Sequence, residues 1–329
     1  MTCGVVVVAR DGEEYLEACL RALITQTDPP RRLLVIDQGS RDRSLKIIRS
    51  LESEARQRGI SMSVIEQQHT GYTSGANHGL EWLQDSGEDL HFAVLLNQAA
   101  ILEPGWCRAI GTAFEADGRT GAVGSRILSP NRLTIQHAGG YVETPRLVAH
   151  HNGHHMTDVP GDFMTSREVE YVTAAVIAMR LSTLREIGLF DKTYSPRYYE
   201  DVDWCARARG AGWKVVYEPL AVATQLGPPL FRLTPERLNL FHRNRLIYAL
   251  PRLANESFRR EFAAAERQHI NGHVSDEDRR AIAVAYLWII LMLPELAAMG
   301  RTSGREESPD MLSDLIEFFG NLRRELTRG

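Results

Sequence analysis

The chain has 329 residues, 43% of them hydrophobic and 24% charged, and its formal net charge at pH 7 is -4. This composition is typical of a soluble globular protein that is long enough for one large α/β domain and an extension. A slightly acidic chain lacks the positive field that attracts nucleic acid, so no nucleic-acid partner is expected. The four cysteines are far apart in sequence, which predicts reduced core thiols of a cytoplasmic protein.

Four short runs predict strands, and the first and last of them are continuous apolar runs of the kind found in buried strands of parallel sheets. The four runs occupy residues 4–9, 31–37, 61–66 and 92–96. Amphipathic stretches follow them and predict helices that end before residue 28, extend through Leu51, begin near His78 and begin at Trp106. The first run is too short for the apolar part of a signal peptide. Because strand, helix and parallel strand form a right-handed crossover unit, the pattern predicts an α/β fold.

Asp37 ends the second predicted strand, at the edge where open α/β sheets bind their ligands. The alternative is a turn aspartate that binds its own backbone, because Asp and Ser are common in turns. After the third strand, HTGYTSGAN at residues 69–77 contains two glycines that would let the backbone approach a ligand closely. This stretch lacks the lysine and the spacing of a Walker loop. Both segments predict a ligand site at the carboxyl edge of the sheet.

Acidic residues crowd a predicted helix start in YYEDVDWCARARGAGWKVVYEP, residues 198–219. Glu200, Asp201 and Asp203 would be stabilised there by the helix dipole and by unpaired backbone N–H groups. Plain capping explains one carboxylate. Three carboxylates within four residues, preceded by two tyrosines, also fit a carboxylate that is held facing a cleft. The sequence alone leaves both interpretations open.

Four segments carry a family resemblance through their order along the chain. They are VVVVARDGEEYLEACLRAL, LLVIDQGSRDRS, LLNQAAILEPGW and the long segment from Glu168 to Pro219 that begins EVEYVTAAVIAMR. Together they resemble the inverting, family-two glycosyltransferases, particularly the bacterial rhamnosyltransferase-like branch. Those enzymes use a nucleotide-sugar donor and have the GT-A fold. The resemblance covers roughly residues 3–225 and implies a GT-A-like, Rossmann-type, mostly parallel sheet flanked by helices over residues 1–227.

The resemblance places donor-binding residues at the strand ends and in the loops that follow them. They are Ala9, Arg10, Asp11, Asp37, Thr73, Gly75, Asn77, Asn97 and Gln98. Asp37 matches the position that binds the nucleobase in the family. Arg10 replaces an aromatic residue that is common there, although a guanidinium plane can also stack on a base.

The metal-binding motif of the family is degenerate in this chain. Ala99 stands where the family has a carboxylate that helps to hold Mg²⁺ or Mn²⁺ on the donor diphosphate, and Gln225 stands at or near the place of a histidine ligand. Magnesium requires hard oxygen ligands, which alanine does not supply. The sequence therefore predicts no confident metal cofactor. It predicts sugar transfer that is metal-independent or weakly metal-dependent, or a relative that has lost catalysis.

Asp201 matches the family's catalytic base, with Glu200 as its neighbour. A base in this position removes the proton of the acceptor hydroxyl as its oxygen attacks the anomeric carbon. Arg243 and Arg245 are candidates for a diphosphate clamp that replaces the metal, although they could equally be solvated helix charges. The implied partners are a nucleotide-sugar donor and a glycan, lipid-linked or protein acceptor in polysaccharide or glycoconjugate assembly.

The histidine-rich segment in the middle of the chain is open to two interpretations. The HHNGHH segment with His150, His151, His154 and His155 could bind a transition metal, but it corresponds to a variable acceptor-side loop of the family, which is the interpretation we favour.

Prolines after Gly227 and long helical periodicity predict a separate helical region over residues 228–329. Its apolar stretch at residues 281–293 is too short to span a bilayer, so it predicts a buried or oligomer-forming helix, or shallow attachment to the inner face of a membrane. Apolar residues from Met311 to Leu322 predict a terminal amphipathic helix. A nucleotide-binding regulator and a non-catalytic scaffold are the rivals of the enzyme hypothesis.

Overall fold

The computed structural model describes residues 1–87, 89–159, 161–227, 234–302 and 309–327. The chain divides into two compact units. The α/β unit comprises Met1–Tyr141 and His150–Pro229, and the helical unit comprises Val142–Ala149 and Leu230–Gly329. The short inserted segment Val142–Ala149 thus groups with the C-terminal helices. The predicted domain boundary after Gly227 lies directly before residues 228–233, which are outside the described residues.

Within the described residues, ten strands of the α/β unit form one mixed sheet. They are β1 (Cys3–Ala9), β2 (Arg32–Asp37), β3 (Ser61–Glu66), β4 (Phe92–Asn97), β5 (Ala100–Leu102), β6 (Thr120–Leu128), β7 (Ile135–His137), β10 (Arg167–Glu168), β11 (Val176–Arg180) and β12 (Lys214–Gln225), while β8 (Gly140–Glu143) and β9 (Val148–His151) form a separate hairpin. The main path has the order β10-β12-β6-β11-β4-β1-β2-β3, and β5 and β7 pair with β12 and β6. The predicted fold class is confirmed.

The four predicted strands pair in parallel and form one half of the sheet. β1 lies between β4 and β2, and β3 lies beyond β2. Six helices accompany the sheet: α1 (Leu16–Ile24), α2 (Ser44–Gln57), α3 (Tyr72–Asp85), α4 (Trp106–Ala116), α5 (Leu181–Ile187) and α6 (Glu200–Gly210). Every residue of β1 is buried, as expected of a β-branched strand that is covered on both faces. The strands therefore end at one edge, where parallel α/β sheets place their sites.

Helix α3 begins at Tyr72, and the predicted start near His78 is wrong. Most of the glycine-containing stretch is helical, because its glycines serve close packing of the helix on the sheet. A Cβ atom on Gly79 would lie 2.3 Å from Cγ1 of Val6, and one on Gly75 would lie 2.5 Å from Nε2 of Gln38. Small residues at these positions bring α3 against the first two strands.

The helical unit contains α7 (Pro235–Leu253), α8 (Glu256–Ile270), α9 (Asp276–Ala298) and α10 (Pro309–Thr327). Thr234, Asn255 and Ser275 cap the first three of these helices, each accepting a hydrogen bond from the backbone N–H three residues later. Helix α10 covers the predicted terminal amphipathic segment and buries Leu315, Phe319, Leu322 and Leu326.

Helix α9 is longer than the apolar stretch that the sequence suggests. It has 23 residues, its most apolar window has a mean hydropathy of 2.0, and 44% of that window is buried. The estimate that this segment is too short to span a bilayer is therefore wrong for the helix as a whole. Among the described residues it alone has the length and composition to cross a membrane, a test that the core helix of a soluble protein also passes.

Candidate active site

Three strand ends meet at the carboxyl edge of the sheet. Ala9 at the end of β1 pairs with Asp37 at the end of β2, and Val8 pairs with Asn97 at the end of β4. The first loop, the turn after β2 and the segment after β4 therefore converge. This convergence is the geometry by which open α/β sheets form binding sites.

Gln98 fixes the first loop. Its Oε1 accepts a hydrogen bond from the backbone N of Arg10 at 2.8 Å, and its Nε2 donates to the carbonyl oxygen of Arg10 at 2.9 Å. A Cβ atom on Gly12 would lie 2.4 Å from Oε1 of Gln98, so a larger residue there would displace the Gln98 side chain. Asp11 accepts a hydrogen bond from the backbone N of Arg41 at 2.7 Å. The Arg10 side chain remains exposed at the edge of the sheet.

Asp37 is buried and binds the turn that follows it. Its Oδ1 accepts from the hydroxyl of Ser40 at 2.5 Å, and its Oδ2 accepts from the backbone N of Ser40 at 3.2 Å. The Ser40 hydroxyl in turn accepts from the backbone N of Asp11 at 3.0 Å. These contacts match the turn interpretation and also join Asp37 to the first loop. Its role in binding a nucleobase stays a prediction.

Asn77 lies inside α3 and is fully used by the fold. Its Nδ2 donates to the carbonyl oxygen of Phe190 at 2.7 Å, and its Oδ1 accepts from the backbone N of Phe190 at 3.0 Å. Gly75 packs against Gln38, as described above. Both residues therefore serve the packing of α3, and their assignment to donor binding stays a prediction.

Two neutral amide side chains, Asn97 and Gln225, lie at the ends of β4 and β12, next to Ala99. Oδ1 of Asn97 accepts from the backbone N of Ala99 at 2.9 Å and from Nε2 of Gln225 at 3.3 Å. Oε1 of Gln225 is buried and has no hydrogen-bond partner among the described residues. Leu226 N donates to the carbonyl oxygen of Ala99 at 2.8 Å, which holds the two segments together.

This amide set does not fit a divalent cation of the Mg²⁺ type, which is usually held by one or two carboxylates together with phosphate oxygens. Ala99 brings no ligand atom, and Oδ1 of Asn97 is already engaged by two donors. Within the described part of the chain, no group of three His, Cys, Asp or Glu side chains could hold a metal ion.

Asp201 lies in the first turn of α6 and is partly buried. Its Oδ2 accepts from the backbone N of Ala174 at 2.8 Å, and its Oδ1 accepts from the backbone N of Val202 at 2.9 Å. Burial raises the pKa of Asp201 above its ordinary value, and the N–H group of Ala174 opposes that shift. The carboxylate is thus held in one orientation and made more basic.

Glu200 differs from Asp201 in its surroundings. It is only 4% exposed, and its Oε2 has no hydrogen-bond partner in the described part of the chain. Burial, followed by the negative charge of Asp201, raises the pKa of Glu200 well above its ordinary value. Of two adjacent carboxyl groups with raised pKa values, the more buried one keeps its proton more readily, so Asp201 is the one that ionises more easily.

Asp203, the third acidic residue of this cluster, has a structural role. Its Oδ2 accepts from Nε of Arg207 at 2.8 Å, and its Oδ1 accepts from the hydroxyl of Tyr194 at 3.3 Å. Tyr198 and Tyr199 enter α6 with φ angles of 78° and 67°, which are uncommon for residues other than glycine. Backbone strain of this kind collects at functional sites, where the surrounding packing maintains it.

Tyr72 and Arg197 lie near the two carboxylates and are not predicted as site residues from the sequence. The hydroxyl of Tyr72 donates to the carbonyl oxygen of Ala174 at 2.5 Å, and its pKa is raised by burial and then by the charges of Glu200 and Asp201. Arg197 is near enough for its positive charge to lower the pKa of Glu200, against the effect of burial. Arg197 could have been found from the sequence, because it directly precedes the YYED sequence. Tyr72 could not, because only the fold brings it next to the carboxylates.

Arg10 and Arg197 place positive charge near His69 at the same edge. Burial lowers the pKa of His69, and the positive charges of Arg10 and Arg197 lower it further, against an opposing effect of Asp11. Both arginine side chains are exposed. The first loop and the segment before α6, which are far apart in sequence, therefore present positive charge to one region.

The HHNGHH histidines contact different groups. Nδ1 of His151 lies 2.7 Å from Nδ1 of His137, whose Nε2 accepts from the backbone N of Thr173 at 3.3 Å. His150 stacks on Tyr141 with ring centroids 5.1 Å apart. Burial lowers the pKa of His137 to about 3 and that of His151 well below its ordinary value. These contacts give no support to a transition-metal site in this segment.

Within the helical unit, Arg245 is fully buried and bound by a carboxylate. Its Nη1 and Nη2 donate to the two oxygens of Glu266 at 2.9 Å each, and Nη1 also donates to the carbonyl oxygen of Arg146 at 2.7 Å. Arg243 stacks over the ring of Trp288 at 5.1 Å. The guanidinium of Arg245 is thus already paired with Glu266, and the diphosphate clamp of Arg243 and Arg245 stays a prediction that these contacts do not support.

A sequence profile of the glycosyl transferase family 2 domain matches residues 4–170, which is just over half of the chain. The chain belongs to glycosyl transferase family 2. The matched range contains the first loop, Asp37 and the Asn97 segment, whereas α6 with Asp201 lies beyond it. No curated protein sequence matches the chain significantly.

Solved structures of glycosyltransferases share the fold of this family 2 member. A structure of GalNAc-T7 with UDP, GalNAc and Mn²⁺ matches with a TM-score of 0.60 and 13% identity, over 91% of this chain and 57% of the other. A structure of S. aureus TarS matches with a TM-score of 0.55 and 15% identity, over 99% of this chain and 53% of the other. A structure of the mannosyltransferase PcManGT from Pyrobaculum calidifontis in complex with GDP-Man and Mn²⁺ matches with a TM-score of 0.51 and 15% identity, over 99% of this chain and 84% of the other. The chain spans little more than half the length of GalNAc-T7 and TarS. At this identity the likeness establishes the GT-A fold.

Proposed function

We propose that this protein is an inverting glycosyltransferase that moves a sugar from a nucleotide-sugar donor to a hydroxyl acceptor without requiring a bound divalent cation. The observation that carries the proposal is the contrast between two parts of one sheet edge. Asp201 is held by two backbone N–H groups, whereas Asn97 and Gln225 form a neutral amide pair beside Ala99, which stands where the family has its carboxylate ligand. The donors named with the similar structures, UDP with GalNAc and GDP-Man, support a nucleotide sugar here.

In the proposed reaction, Asp201 accepts the proton of the acceptor hydroxyl while that oxygen forms a bond to the anomeric carbon. The bond between this carbon and the diphosphate oxygen breaks on the opposite face, and the nucleoside diphosphate leaves with the electron pair. Burial raises the pKa of Asp201, which makes its ionised form a stronger base. Its two backbone hydrogen bonds leave lone pairs on the same oxygens for the acceptor hydroxyl.

Without a cation, the charge on the leaving diphosphate needs other partners. Arg10 and Arg197 are exposed at the edge of the sheet and close enough to His69 to lower its pKa. Guanidinium groups bind phosphate oxygens in pairs and stay charged at any physiological pH. We therefore assign leaving-group stabilisation to Arg10 and Arg197 in place of Arg243 and Arg245. Electrostatic stabilisation of this kind is often the largest catalytic contribution.

The acceptor is proposed to be a glycan, a lipid-linked glycan or a glycosylated protein, in polysaccharide or glycoconjugate assembly. We place the protein in the cytoplasm or at the inner face of a membrane. The exposed apolar residues Val284, Leu287 and Leu291 on α9 support self-association or peripheral membrane contact through the helical unit.

A second candidate function is a non-catalytic scaffold or partner subunit. The amide pair at Asn97 and Gln225 favours it, because a protein that had stopped transferring sugars would no longer need metal ligands there. A nucleotide-binding regulator without turnover is an intermediate case, and nucleotide binding without sugar dependence would identify it.

The test is a transfer and donor-hydrolysis assay with a panel of nucleotide sugars, run in chelator. We expect turnover that persists in chelator and falls about 10²–10⁴-fold in Asp201→Asn, the usual contribution of a general base. Asp28→Asn is the matched control, since that carboxylate is exposed and pairs with Arg108. Turnover that needs Mn²⁺ would reject the metal-free mechanism. Failure of every nucleotide sugar to bind or to protect against thermal unfolding would favour the scaffold.

A further inference from the structure

Helices α8 and α10 border an open cavity of about 350 Å³ within the helical unit. Its lining consists of Glu256, Arg259, Arg260, Ala263 and Arg267 from α8, and Phe318 and Asn321 from α10. Arg260 and Arg267 are seven residues apart, which puts them on one face of the helix, and Arg259 is adjacent to that face. A cavity of this volume is large enough for a small ligand.

The positive charge around this cavity exceeds the negative charge that compensates it. Glu256 pairs with Arg260, and Glu325 binds Arg267 through two hydrogen bonds of 2.7 and 3.1 Å. Arg259 has no acidic partner among the residues that the structure describes. Like charges gathered at one place repel one another, so an uncompensated guanidinium here favours a bound anion.

Asn321 adds hydrogen-bond donors to the same lining. Its Oδ1 accepts from Nη2 of Arg324 at 2.5 Å, so the donors of its amide nitrogen are the part that is left for a ligand. Arg324 also brings a fourth positive charge beside the cavity, against the two glutamates at positions 256 and 325. Guanidinium and amide N–H groups together are the donor set that phosphate oxygens accept.

We propose that this arginine-lined cavity binds a phosphate-bearing anion, either free in solution or as the headgroup of a lipid. The site is separate from the residues assigned to sugar transfer and does not depend on that activity. Arg259 contributes the uncompensated charge, Arg260 and Arg267 contribute partly compensated ones, and Phe318 contributes an apolar wall next to the phosphate group.

The first experiment titrates the full chain with inorganic pyrophosphate by calorimetry, with chloride at the same ionic strength as the reference. We expect saturable binding that weakens about tenfold or more in Arg259→Gln, the factor that one hydrogen bond to a charged group contributes. Arg280→Gln is the matched control, because it removes the same charge from an exposed position of α9 that does not line the cavity. Equal weakening in both variants would show non-specific attraction and overturn the proposal.

A second readout separates this cavity from the active site, which could also bind pyrophosphate. Hydrogen–deuterium exchange with and without pyrophosphate is expected to show protection in residues 256–267 and 318–325. Protection confined to the loops at the sheet edge would overturn the proposal.

Flotation with phosphatidylcholine vesicles, with and without phosphatidic acid, distinguishes the lipid source. Arg259-dependent binding to phosphatidic acid vesicles assigns the site to a headgroup, whereas Arg259-dependent binding to pyrophosphate alone assigns it to a soluble anion. Failure of both probes to depend on Arg259 would reject the site.

Discussion

Nε2 of Gln225 donates a hydrogen bond to Oδ1 of Asn97 at 3.3 Å, although the two residues are 128 positions apart. The contact arises because β12 ends in an antiparallel pair with β5, the short strand that follows Asn97, with Gln225 opposite Ala100. The sheet therefore brings Gln225 next to the segment of Asn97 and Ala99, and the family resemblance places metal ligands at Ala99 and Gln225. In this chain the same geometry joins two amides.

Restoring the ligands should create a metal site, because the geometry of the two strands is already present. We expect Ala99→Asp combined with Gln225→His to bind Mn²⁺ measurably by calorimetry, whereas the wild-type protein does not bind it at the same concentrations. Ala99→Asn with Gln225→His is the matched control, since it has similar volume without the carboxylate. Equal Mn²⁺ binding by the wild type and the double variant would contradict our account of the amide pair.

Arg197 should matter for turnover more than for folding, because its side chain is exposed. We expect Arg197→Gln to lower kcat about tenfold or more, in line with the loss of one charge-assisted hydrogen bond to the leaving diphosphate. Arg119→Gln serves as the control, because this exposed guanidinium lies over Trp213, away from the carboxylates. An unchanged kcat in Arg197→Gln, measured with saturating donor, would remove Arg197 from the mechanism.

The pair of buried His137 and partly buried His151 should make stability depend on pH. The folded protein keeps His137 neutral down to a pKa of about 3, whereas the unfolded chain takes up that proton near pH 6.5. Stability from this residue is therefore complete above about pH 6.5 and is lost as the pH falls toward 3, by about 1.4 kcal/mol per pH unit for each proton. His151 acts in the same direction.

Chemical denaturation between pH 4 and pH 8 measures this dependence. His151→Phe should flatten the acid limb of the stability profile, because one group no longer titrates. His273→Gln, at an exposed position of the helical unit, should leave the limb as it is. A limb that is equally steep in His151→Phe and in the wild type would refute the assignment.

Glu266 should be essential to the helical unit. Burial raises its pKa, but the charges of Arg245 and Arg146 outweigh burial and lower it to about 2. Breaking a buried ion pair by removing one partner costs about 3–5 kcal/mol, because the other charge stays buried. We expect that loss for Glu266→Gln in urea unfolding, and a smaller loss when Arg245→Met and Glu266→Leu are combined. A double variant that is less stable than the single one would disprove this explanation.

Gly79 tests the close contact of α3 with the sheet. A methyl group there would lie 2.3 Å from Cγ1 of Val6, so Gly79→Ala should lower stability by about 1–3 kcal/mol despite the better helix propensity of alanine. Adding Val6→Ala makes room for the new methyl group and should recover part of the loss. Gly210→Ala, where no atom lies within 4 Å of the new Cβ, should be neutral or slightly stabilising. A neutral Gly79→Ala would contradict the packing.

The sequence by itself determined the parallel half of the sheet and the positions of its strand ends, because each of these depends on local patterns of apolar residues. The β-branched run of β1 and the alternation of strand and helix placed Ala9, Asp37 and Asn97 at one edge. Its motifs also determined the family, since the order of four segments does not require knowledge of contacts. The start of α3 was misplaced because glycines that serve packing look the same in sequence as glycines that serve a ligand.

Only the tertiary structure decided which polar side chains are free to act. Asn77 binds the backbone of Phe190, Arg245 binds Glu266, and Asp203 binds Arg207, whereas Asp201 is oriented by the backbone of Ala174. Apart from Asp203 and Arg207, which are four residues apart on α6, these contacts join residues that lie 21 to 113 positions apart. The physical reason is that the fold alone brings such residues together, so no spacing along the chain records them. The motif predicts a role for Asp201, but only the structure shows that Glu200 is more deeply buried than Asp201 and has its pKa raised by that burial.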